Sequence, residues 1–269
     1  MTLLTFHTDG HALTWTGDGE YLRVEPWGKD SVRVRAAQMH EVENPAWALL
    51  EEPGKPSDGA LVSIDAGHGT AELRNGHIMV KAKATYGVYA GAGYEEPRCE
   101  LSFFTADGKP LLREAARGGS LDLHARRFKP IIGGDHAVTV SFESPVNERL
   151  YGMGEYQQIV MDLKGCTLEL AHRNSQASVP FVVSSAGYGF LWNNPAVGSV
   201  VFGKNRTEWK ADATRQIDYW ITAGDTPAAI MEHYADATGH APVMPEWGLG
   251  FWQCKLRYWN QEQLLKVAR

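Results

Sequence analysis

The stretch VPFVVSSAGYGFLW, which runs from Val179 to Trp192, decides the fold class of this chain. It contains two apolar runs, Val179–Ser184 and Tyr188–Trp192, on either side of the short segment Ser185-Ala186-Gly187. β-Branched and aromatic residues favour extended strands, and a three-residue connection that contains glycine is typical of a hairpin. This stretch therefore predicts two antiparallel strands joined by a tight turn.

The same pattern recurs through the first two hundred residues. Asn75-Gly76 and Asp107-Gly108 each lie between two apolar runs, and both dipeptides favour hairpin turns because their residues tolerate positive φ. Further predicted strands are Ser31–Arg35, Ala137–Phe142 and Gln216–Thr222. Many short strands at this spacing predict a mainly β fold, an antiparallel β-sandwich that covers residues 1–224.

The periodicity becomes helical after residue 224. Thr226 is a suitable N-cap, Pro227 suits the first helical position, and Gly239 ends the pattern. Residues 225–243 therefore predict a connecting helix and a linker.

The segment MPEWGLGFWQCKLRYW, Met244 to Trp259, begins a third part of the chain, residues 244–269. Gly248–Gln253 is apolar enough to predict a buried strand. Asn260, followed three residues later by Gln263, predicts a capping box at the start of a helix. This part therefore predicts one strand, one loop and the beginning of one helix.

Composition and charge exclude several classes of protein. The net charge of −6 argues against a nucleic-acid partner, because phosphate contacts require a basic face. No apolar run reaches the roughly 18 residues of a membrane span, and the first residues lack the basic region of a secretion signal. The cysteines are Cys99, Cys166 and Cys254. Because they are few, odd in number and widely spaced, we expect a cytoplasmic protein without disulfides.

No sequence motif predicts a cofactor or a metal. Gly198–Lys204 matches the spacing of a phosphate-binding loop, but Asn205 follows where Ser or Thr would hold magnesium, and the interior is strand-like. His7 and His11 are four residues apart outside any predicted helix, so their spacing does not direct both rings to one metal. Gly152-Met153-Gly154 is interpreted as a turn. The residues by themselves form no complete catalytic constellation.

Five segments in a fixed order carry a resemblance to a known family. They are Tyr151–Glu155 (YGMGE), Arg173–Gln176 (RNSQ), Val179–Phe181 (VPF), Gly187–Asn194 (GYGFLWNN) and Pro245–Gln253 (PEWGLGFWQ). Together they resemble glycoside hydrolase family 31, the α-glucosidase and α-xylosidase family of retaining enzymes. The resemblance covers roughly residues 20–269 and is specific from Tyr151 onward.

The resemblance implies a β-sandwich of the galactose-mutarotase type followed by a (β/α)8 barrel. Gly248–Gln253 is similar to the first barrel strand of the family. Because a complete barrel takes about 250 residues, residues 244–269 imply only the first β/α unit of an incomplete barrel, and the chain resembles an amino-terminal fragment. The catalytic aspartates of the family lie on later barrel strands, so no residue here is assigned a catalytic role, and we expect the chain alone to be inactive.

Two loops resemble parts of the family that contact sugar. Arg173–Gln176 is similar to a sandwich loop that reaches the −1 subsite, which makes Asn174 and Gln176 candidate substrate-binding residues; many α-glucosidases have an aspartate at the position of Gln176. The alternative is that both side chains only cap a turn. Arg257 and Tyr258 are candidates in the loop after the first barrel strand, with a surface arginine and a packing tyrosine as the alternative.

The expected partner is a carbohydrate, an α-glucoside or an α-xyloside. One alternative is a non-catalytic carbohydrate-binding or scaffold module, which nine Trp and ten Tyr would suit. Another is an aldose mutarotase-like protein, which needs a histidine and a carboxylate paired in a cleft, a pair that the sequence does not place. The apolar residues after Val243 further predict self-association, or association with a chain that carries the rest of the barrel.

Overall fold

A computed structural model describes residues 5–51, 56–57, 59–88, 95–116 and 123–269. Within these residues it contains eighteen β-strands. The strands are β1 Phe6–Asp9, β2 Ala12–Gly17, β3 Glu20–Pro26, β4 Ser31–Gln38, β5 Leu61–Asp65, β6 Thr70–Asn75, β7 Ile78–Val88, β8 Glu95–Thr105, β9 Pro110–Arg113, β10 Arg126–Pro130, β11 His136–Glu143, β12 Leu150–Glu155, β13 Thr167–Leu170, β14 Ala177–Ser184, β15 Tyr188–Trp192, β16 Gly198–Phe202, β17 Arg206–Thr214 and β18 Gln216–Ala223. The helices are α1 Pro227–Thr238, a short 3-10 helix Glu246–Leu249 and α2 Gln261–Ala268.

The strands form two packed layers. One layer is an eight-stranded sheet with the order β1-β2-β3-β4-β18-β15-β14-β12. The other consists of two five-stranded sheets, with the orders β10-β11-β17-β16-β13 and β5-β6-β7-β8-β9. A bridge between Glu114 and Phe142 joins the two smaller sheets. Every paired strand is antiparallel, and one apolar core draws on all three sheets. The predicted mainly β, antiparallel sandwich is therefore confirmed.

The hairpin that decides the fold class lies near one edge of the eight-stranded sheet, between β18 and the edge strand β12. β14 and β15 pair with Phe181 opposite Leu191 and Ser184 opposite Tyr188. Gly187 has a φ of 99°, a value that glycine adopts without strain in the tight turn. All five residues of β15 are buried, because the core covers one face of the strand and α1 packs on the other.

α1 covers the outer face of the eight-stranded sheet. Its first turn is capped by Thr226, whose Oγ1 accepts a hydrogen bond of 3.2 Å from the Ala229 N–H, and Pro227 occupies the first helical position. Ile230 and Ala237 pack against Trp220 and neighbouring apolar residues of the sheet. Among the described residues, no helix is both long and apolar enough to span a bilayer.

His233 is the buried titratable residue of α1. Its Nδ1 lies 2.8 Å from Thr222 Oγ1, and its Nε2 lies 3.7 Å from Asp30 Oδ2. Burial lowers the pKa of His233; Asp30, Glu232 and Asp236 oppose this effect, whereas Lys29 adds to it. The folded protein therefore favours the neutral imidazole.

We expect the free energy of unfolding to fall as the pH decreases through about 6.5, the pKa of an unperturbed histidine. Below this pH His233 binds a proton in the unfolded chain but not in the folded chain. Acid therefore favours unfolding until the pH also falls below the lowered pKa of His233 in the folded chain. Urea midpoints at about pH 7.5 and pH 5.5 measure the effect, with His233→Asn as the control. Equal acid sensitivity of the two proteins would show that another group is responsible.

Residues 240–269 form a separate compact unit, and here the predicted strand is wrong. Glu246–Leu249 is a 3-10 helix, and residues 250–253 are irregular. A parallel strand obtains its ladder hydrogen bonds from neighbouring strands, and residues 240–269 contain no strand to supply them. The backbone forms local bonds instead, such as the 2.8 Å bond from the Gly248 N–H to the Pro245 carbonyl.

The predicted helix start at Asn260 is confirmed. Asn260 Oδ1 accepts a hydrogen bond of 3.0 Å from the Gln263 N–H. The reciprocal bond is displaced by one residue, because Gln263 Oε1 accepts from the N–H of Trp259, at 3.0 Å, rather than from that of Asn260. α2 follows at Gln261–Ala268.

Truncation after Val243 is expected to leave the sandwich folded and to make the protein more monomeric. The part removed exposes large apolar side chains, among them Trp247, Leu249, Phe251, Trp252 and Trp259. Burying one such side chain is worth about 1.5–3 kcal/mol, so copies of the full chain gain free energy by associating through them. Light scattering on both proteins, with circular dichroism as the control for folding, measures the difference. A truncated form that unfolds or aggregates more than the full chain would contradict this expectation.

Candidate functional site

The segment Arg173–Gln176 is a tight turn that crosses between the two layers of the sandwich. It follows β13 in a five-stranded sheet and precedes β14 in the eight-stranded sheet. The Gln176 N–H donates to the Arg173 carbonyl at 3.1 Å, and Ser175 has a φ of 64°. The turn therefore joins the two layers with a defined backbone conformation.

A bidentate ion pair holds the first side chain of this turn. Arg173 Nε lies 2.9 Å from Glu169 Oε2, and Arg173 Nη2 lies 2.5 Å from Glu169 Oε1. The hydrogen bonds from Arg173 lower the pKa of the Glu169 carboxyl, so the carboxylate is the stable form at neutral pH. Two parallel N–H···O bonds fix the plane of the guanidinium as well as its position.

The base of the turn is tied together by Tyr156 and His172. The Tyr156 hydroxyl donates to the Glu169 carbonyl and accepts from Ser178 Oγ, and both distances are 2.7 Å. His172 Nδ1 accepts from the Ser178 N–H at 3.3 Å. These bonds connect β13, through Glu169, and the residue before the turn, His172, with the start of β14.

Gly152-Met153-Gly154, interpreted above as a turn, is instead part of strand β12, beside a bulge in its pairing with β14. Gly152, Met153 and Gly154 have φ values of 119°, 73° and 87°, and the pairing with β14 shifts register between the two glycines. Beyond the bulge, Gly154 pairs with Ser178. The bulge therefore lies in the strand pair that supports the turn. Its signal in the sequence is a pair of glycines on either side of one residue within an apolar run.

Asn174 and Gln176, the two predicted residues of the sandwich, lie in this one turn. Asn174 is exposed and Gln176 is half-buried. In the part of the chain that the structure describes, neither side-chain amide has a recorded hydrogen-bond partner. Hydrogen bonds from the side chains of Arg173, Tyr156 and His172 hold the turn instead. The observed hydrogen bonds therefore do not support the alternative that the two amides only cap a turn.

Arg257 and Tyr258 lie in the separate unit of residues 240–269. The Arg257 guanidinium stacks 4.5 Å from the ring centroid of Trp259. The Tyr258 hydroxyl accepts a hydrogen bond of 3.2 Å from Gln253 Nε2. Both residues are therefore positioned by local contacts within this unit, and their contact with a sugar stays a prediction, as it does for Asn174 and Gln176.

A shallow apolar groove of about 590 Å³ runs along the bulge. Its lining includes Tyr151, Tyr156 and Met161, together with the backbone of Gly152 and Gly154. A larger cavity of about 940 Å³ lies on the sheet β5–β9 and includes none of the predicted site residues. The lining of the groove likewise includes neither Asn174 nor Gln176.

Comparison with known proteins decides the family. A family model described as the glycosyl hydrolase 31 N-terminal galactose mutarotase-like domain matches residues 21–200. The chain belongs to glycoside hydrolase family 31.

The relatives within family 31 are longer than this chain. An uncharacterized family 31 glucosidase, ORF2 of Pseudescherichia vulneris, is 45% identical over 96% of this chain and 49% of its own length. Alpha-xylosidase A of Aspergillus niger is 30% identical over 93% of this chain and 34% of its own length. The chain thus spans about half the length of the first relative and about a third of the second.

A solved structure extends the similarity to the backbone. The family 31 α-xylosidase from a soil metagenome, complexed with xylose, superposes with a TM-score of 0.82 and 46% sequence identity. The match covers 98% of this chain and 39% of that enzyme. The galactose-mutarotase type of the sandwich, expected from the five sequence segments, is confirmed by the family model over residues 21–200.

Proposed function

We propose that this chain is the sandwich-bearing part of a cytoplasmic α-glycosidase that hydrolyses α-xylosides or α-glucosides. The observation that carries the proposal is the similarity, over nearly the whole chain, to an α-xylosidase whose structure contains xylose. In this proposal the turn Arg173–Gln176 contributes contacts to the sugar, and the hydrolytic groups lie outside these 269 residues.

The turn is chemically suited to holding a sugar rather than to cleaving one. An amide side chain both donates and accepts hydrogen bonds, so Asn174 and Gln176 can each bind a hydroxyl in either orientation. Gln176 brings no charge, which limits its role to orientation. The ion pair with Glu169 fixes Arg173 beside them. A turn ordered before the sugar arrives loses little conformational entropy on binding.

Hydrolysis with retention needs two carboxyl groups about 5–5.5 Å apart, one as nucleophile and one as acid and base. In family 31 the resemblance assigns these roles to aspartates of later barrel strands. The proposed contribution of this chain is to orient the sugar at the barrel, with Arg257 and Tyr258 as the contacts from the loop after the 3-10 helix.

The mutarotase alternative gains one observation from the structure. His124 Nε2 lies 2.7 Å from Glu96 Oε1, a histidine–carboxylate pair that the sequence did not place. Burial by itself would raise the pKa of Glu96, but hydrogen bonds from Arg98 and His124 outweigh it and lower the pKa. A carboxylate with a lowered pKa is a poor base near neutral pH, so this pair is poorly suited to proton transfer.

The test uses the complete product of the open reading frame that encodes this chain. The gene is therefore first sequenced beyond the codon for Arg269. The complete product is assayed with aryl α-xylosides and aryl α-glucosides. The KM values of the variants Gln176→Ala and Asn174→Ala are compared with that of the control Gln157→Ala, which removes an exposed amide outside the turn. Each change in the turn is expected to raise KM about three- to tenfold, the effect of one lost hydrogen bond. A complete product without glycosidase activity, or turn variants equal to Gln157→Ala, would overturn the proposal.

A further inference from the structure

Three consecutive apolar side chains, which we call the apolar ridge, are exposed to solvent shortly after β12. They are Ile159, which is fully exposed, Val160, which is 48% exposed, and Met161, which is 83% exposed. Val160 and Met161 also line the apolar groove of about 590 Å³ along the bulge. Single exposed apolar residues are ordinary on a protein surface, whereas a contiguous apolar group beside an apolar groove marks an interaction site.

The backbone that presents the apolar ridge is anchored after Met161. The Leu163 N–H donates to the Leu150 carbonyl at 2.8 Å, which returns the chain to β12. Asp162 Oδ1 accepts from the N–H groups of Leu150 and Lys164, both at 3.1 Å. The Leu163 side chain is buried in the core. Because β12 leads into this segment and the bonds of Asp162 and Leu163 close it, the ridge is ordered before a partner binds and loses little conformational entropy on binding.

The charges around the ridge indicate the kind of partner that fits it. The segment Tyr156–Met161 contains no charged residue, and none of the described residues that line the groove is charged. The flanking residues Glu155 and Asp162 are acidic, which disfavours an anionic membrane surface and a nucleic acid. An apolar protein surface is therefore the partner that suits the ridge and the groove.

The groove and the candidate turn share the side chain of Tyr156. Tyr156 lines the groove, and its hydroxyl lies 2.7 Å from Ser178 Oγ, two residues after Gln176 in the chain. A partner that packs against Tyr156 therefore touches the side chain that ties the base of the turn. In the proposed function the turn holds the sugar and the hydrolytic groups lie outside these 269 residues, so those groups must be brought to this side of the sandwich.

The relatives contain enough additional chain to cover such a surface. The matched part is 49% of the length of the Pseudescherichia vulneris relative and 39% of the α-xylosidase complexed with xylose. More than half of each relative therefore lies outside the match.

We propose that the apolar ridge and its groove are the docking surface for the portion of the same polypeptide that carries the hydrolytic groups. The identity of that portion rests on the proposed function. The docking is measured without reference to activity, so the two can fail separately.

The experiment follows the oxidation of methionine by hydrogen peroxide, with peptide mass spectrometry, in the 269-residue chain and in the complete product of the reading frame. Met39 is the matched control, because it is 78% exposed and follows β4, which three strands separate from β12. Both methionines should be oxidised at similar rates in the 269-residue chain. In the complete product the oxidation of Met161 should be slower than that of Met39 by about tenfold or more, because a covered thioether is shielded from the oxidant.

A charge placed on the ridge should reverse this protection. In the complete product, Ile159→Asp is expected to bring the oxidation rate of Met161 to within about twofold of that of Met39, because burying an unpaired carboxylate opposes docking. Ile132→Asp, in the turn between β10 and β11, is the control and should preserve the protection. Ile132 and Ile159 are both fully exposed, so neither change removes a packed side chain from the 269-residue chain.

The outcomes separate the docking surface from the proposed function. Equal oxidation of Met161 and Met39 in a complete product that hydrolyses aryl α-xylosides would overturn the docking surface alone. Protection of Met161 in a complete product without glycosidase activity would support the docking and overturn the proposed function. A reading frame that ends at Arg269 would overturn both.

Two further results would assign the surface to another partner and overturn the proposal. One is protection of Met161 in the 269-residue chain that grows with protein concentration, which indicates a second copy. The other is protection of the same chain by phosphatidylcholine vesicles, which indicates a membrane. The comparison of Met161 with Met39 uses the unmodified proteins, so the test holds even where a variant fails to fold.

Discussion

Replacing Gly154 by alanine is expected to lower the free energy of unfolding by about 2–5 kcal/mol. Gly154 has a φ of 87°, a conformation in which an L-residue costs about 1–2 kcal/mol. A Cβ atom at this position would lie 2.2 Å from the Ala177 carbonyl oxygen and 2.8 Å from the Val179 nitrogen. Both atoms belong to the backbone of β14, so neither can move away without distorting the paired strand.

Gly108→Ala is the matched control for this prediction. Gly108 has a φ of 90°, but a Cβ atom there would meet no atom within 4 Å. Its replacement should cost only the conformational part, about 1–2 kcal/mol. Urea unfolding of both variants separates the cost of the backbone conformation from the cost of the steric collision with β14. Equal decreases in the free energy of unfolding of the two variants would show that the backbone of β14 can move away from the new Cβ atom at little cost.

The loss of the β12–β14 pairing has a consequence beyond stability. Gly154 pairs with Ser178, which also bonds Tyr156 and His172 at the base of the turn. In a Gly154→Ala protein that still folds, we expect faster hydrogen exchange at residues 172–178 than in Gly108→Ala. We therefore expect the bulge to preserve the candidate sugar-binding turn as well as the sheet.

The 269-residue chain alone is expected to hydrolyse neither aryl α-xylosides nor aryl α-glucosides above the uncatalysed rate. The family resemblance implies catalytic aspartates on barrel strands later than the one that Gly248–Gln253 resembles, and we expect this chain to lack them. Removing the catalytic groups of an enzyme typically lowers kcat by about 10⁴–10⁶-fold, which here would bring turnover to the limit of detection.

The measurement is release of the aryl group by the purified chain, with the product of the complete reading frame as the positive control. Contaminating glycosidases are separated by following activity and protein through two different columns. Turnover that remains with the purified chain would contradict the expectation and would require a carboxylate pair within the sandwich. His124 and Glu96 would then be the first residues to replace, because they form a close histidine–carboxylate pair.

Local signals explain most of what could be predicted about the fold. Asn75-Gly76 and Asp107-Gly108 follow from turn chemistry, and the observed strands on both sides pair as expected, β6 with β7 and β8 with β9. Thr226 and Asn260 cap their helices through bonds that span only three residues. Each of these features depends on neighbours in sequence, so it is readable without the fold.

The two errors concern residues whose conformation depends on another strand. Gly152-Met153-Gly154 has the composition of a turn, and only pairing with β14 makes it a bulged strand. Gly248–Gln253 has the composition of a buried strand, but no strand within residues 240–269 pairs with it. The family resemblance predicts the candidate site. It does not predict the ion pair of Arg173 with Glu169 or the hydrogen bonds of Tyr156 that hold the turn, because nothing in the local sequence marks them.

By itself the sequence determined that this protein is an antiparallel β-sandwich with capped helices, because alternation, turn residues and caps act over a few neighbouring positions. The tertiary structure alone decided the bulge under the turn and the buried pair of Arg33 and Asp218. The hydrogen bond between Arg33 and Asp218 joins residues 185 positions apart. Whether a buried polar group finds a partner depends on strands that are brought together only by folding, and no short-range pattern carries that information.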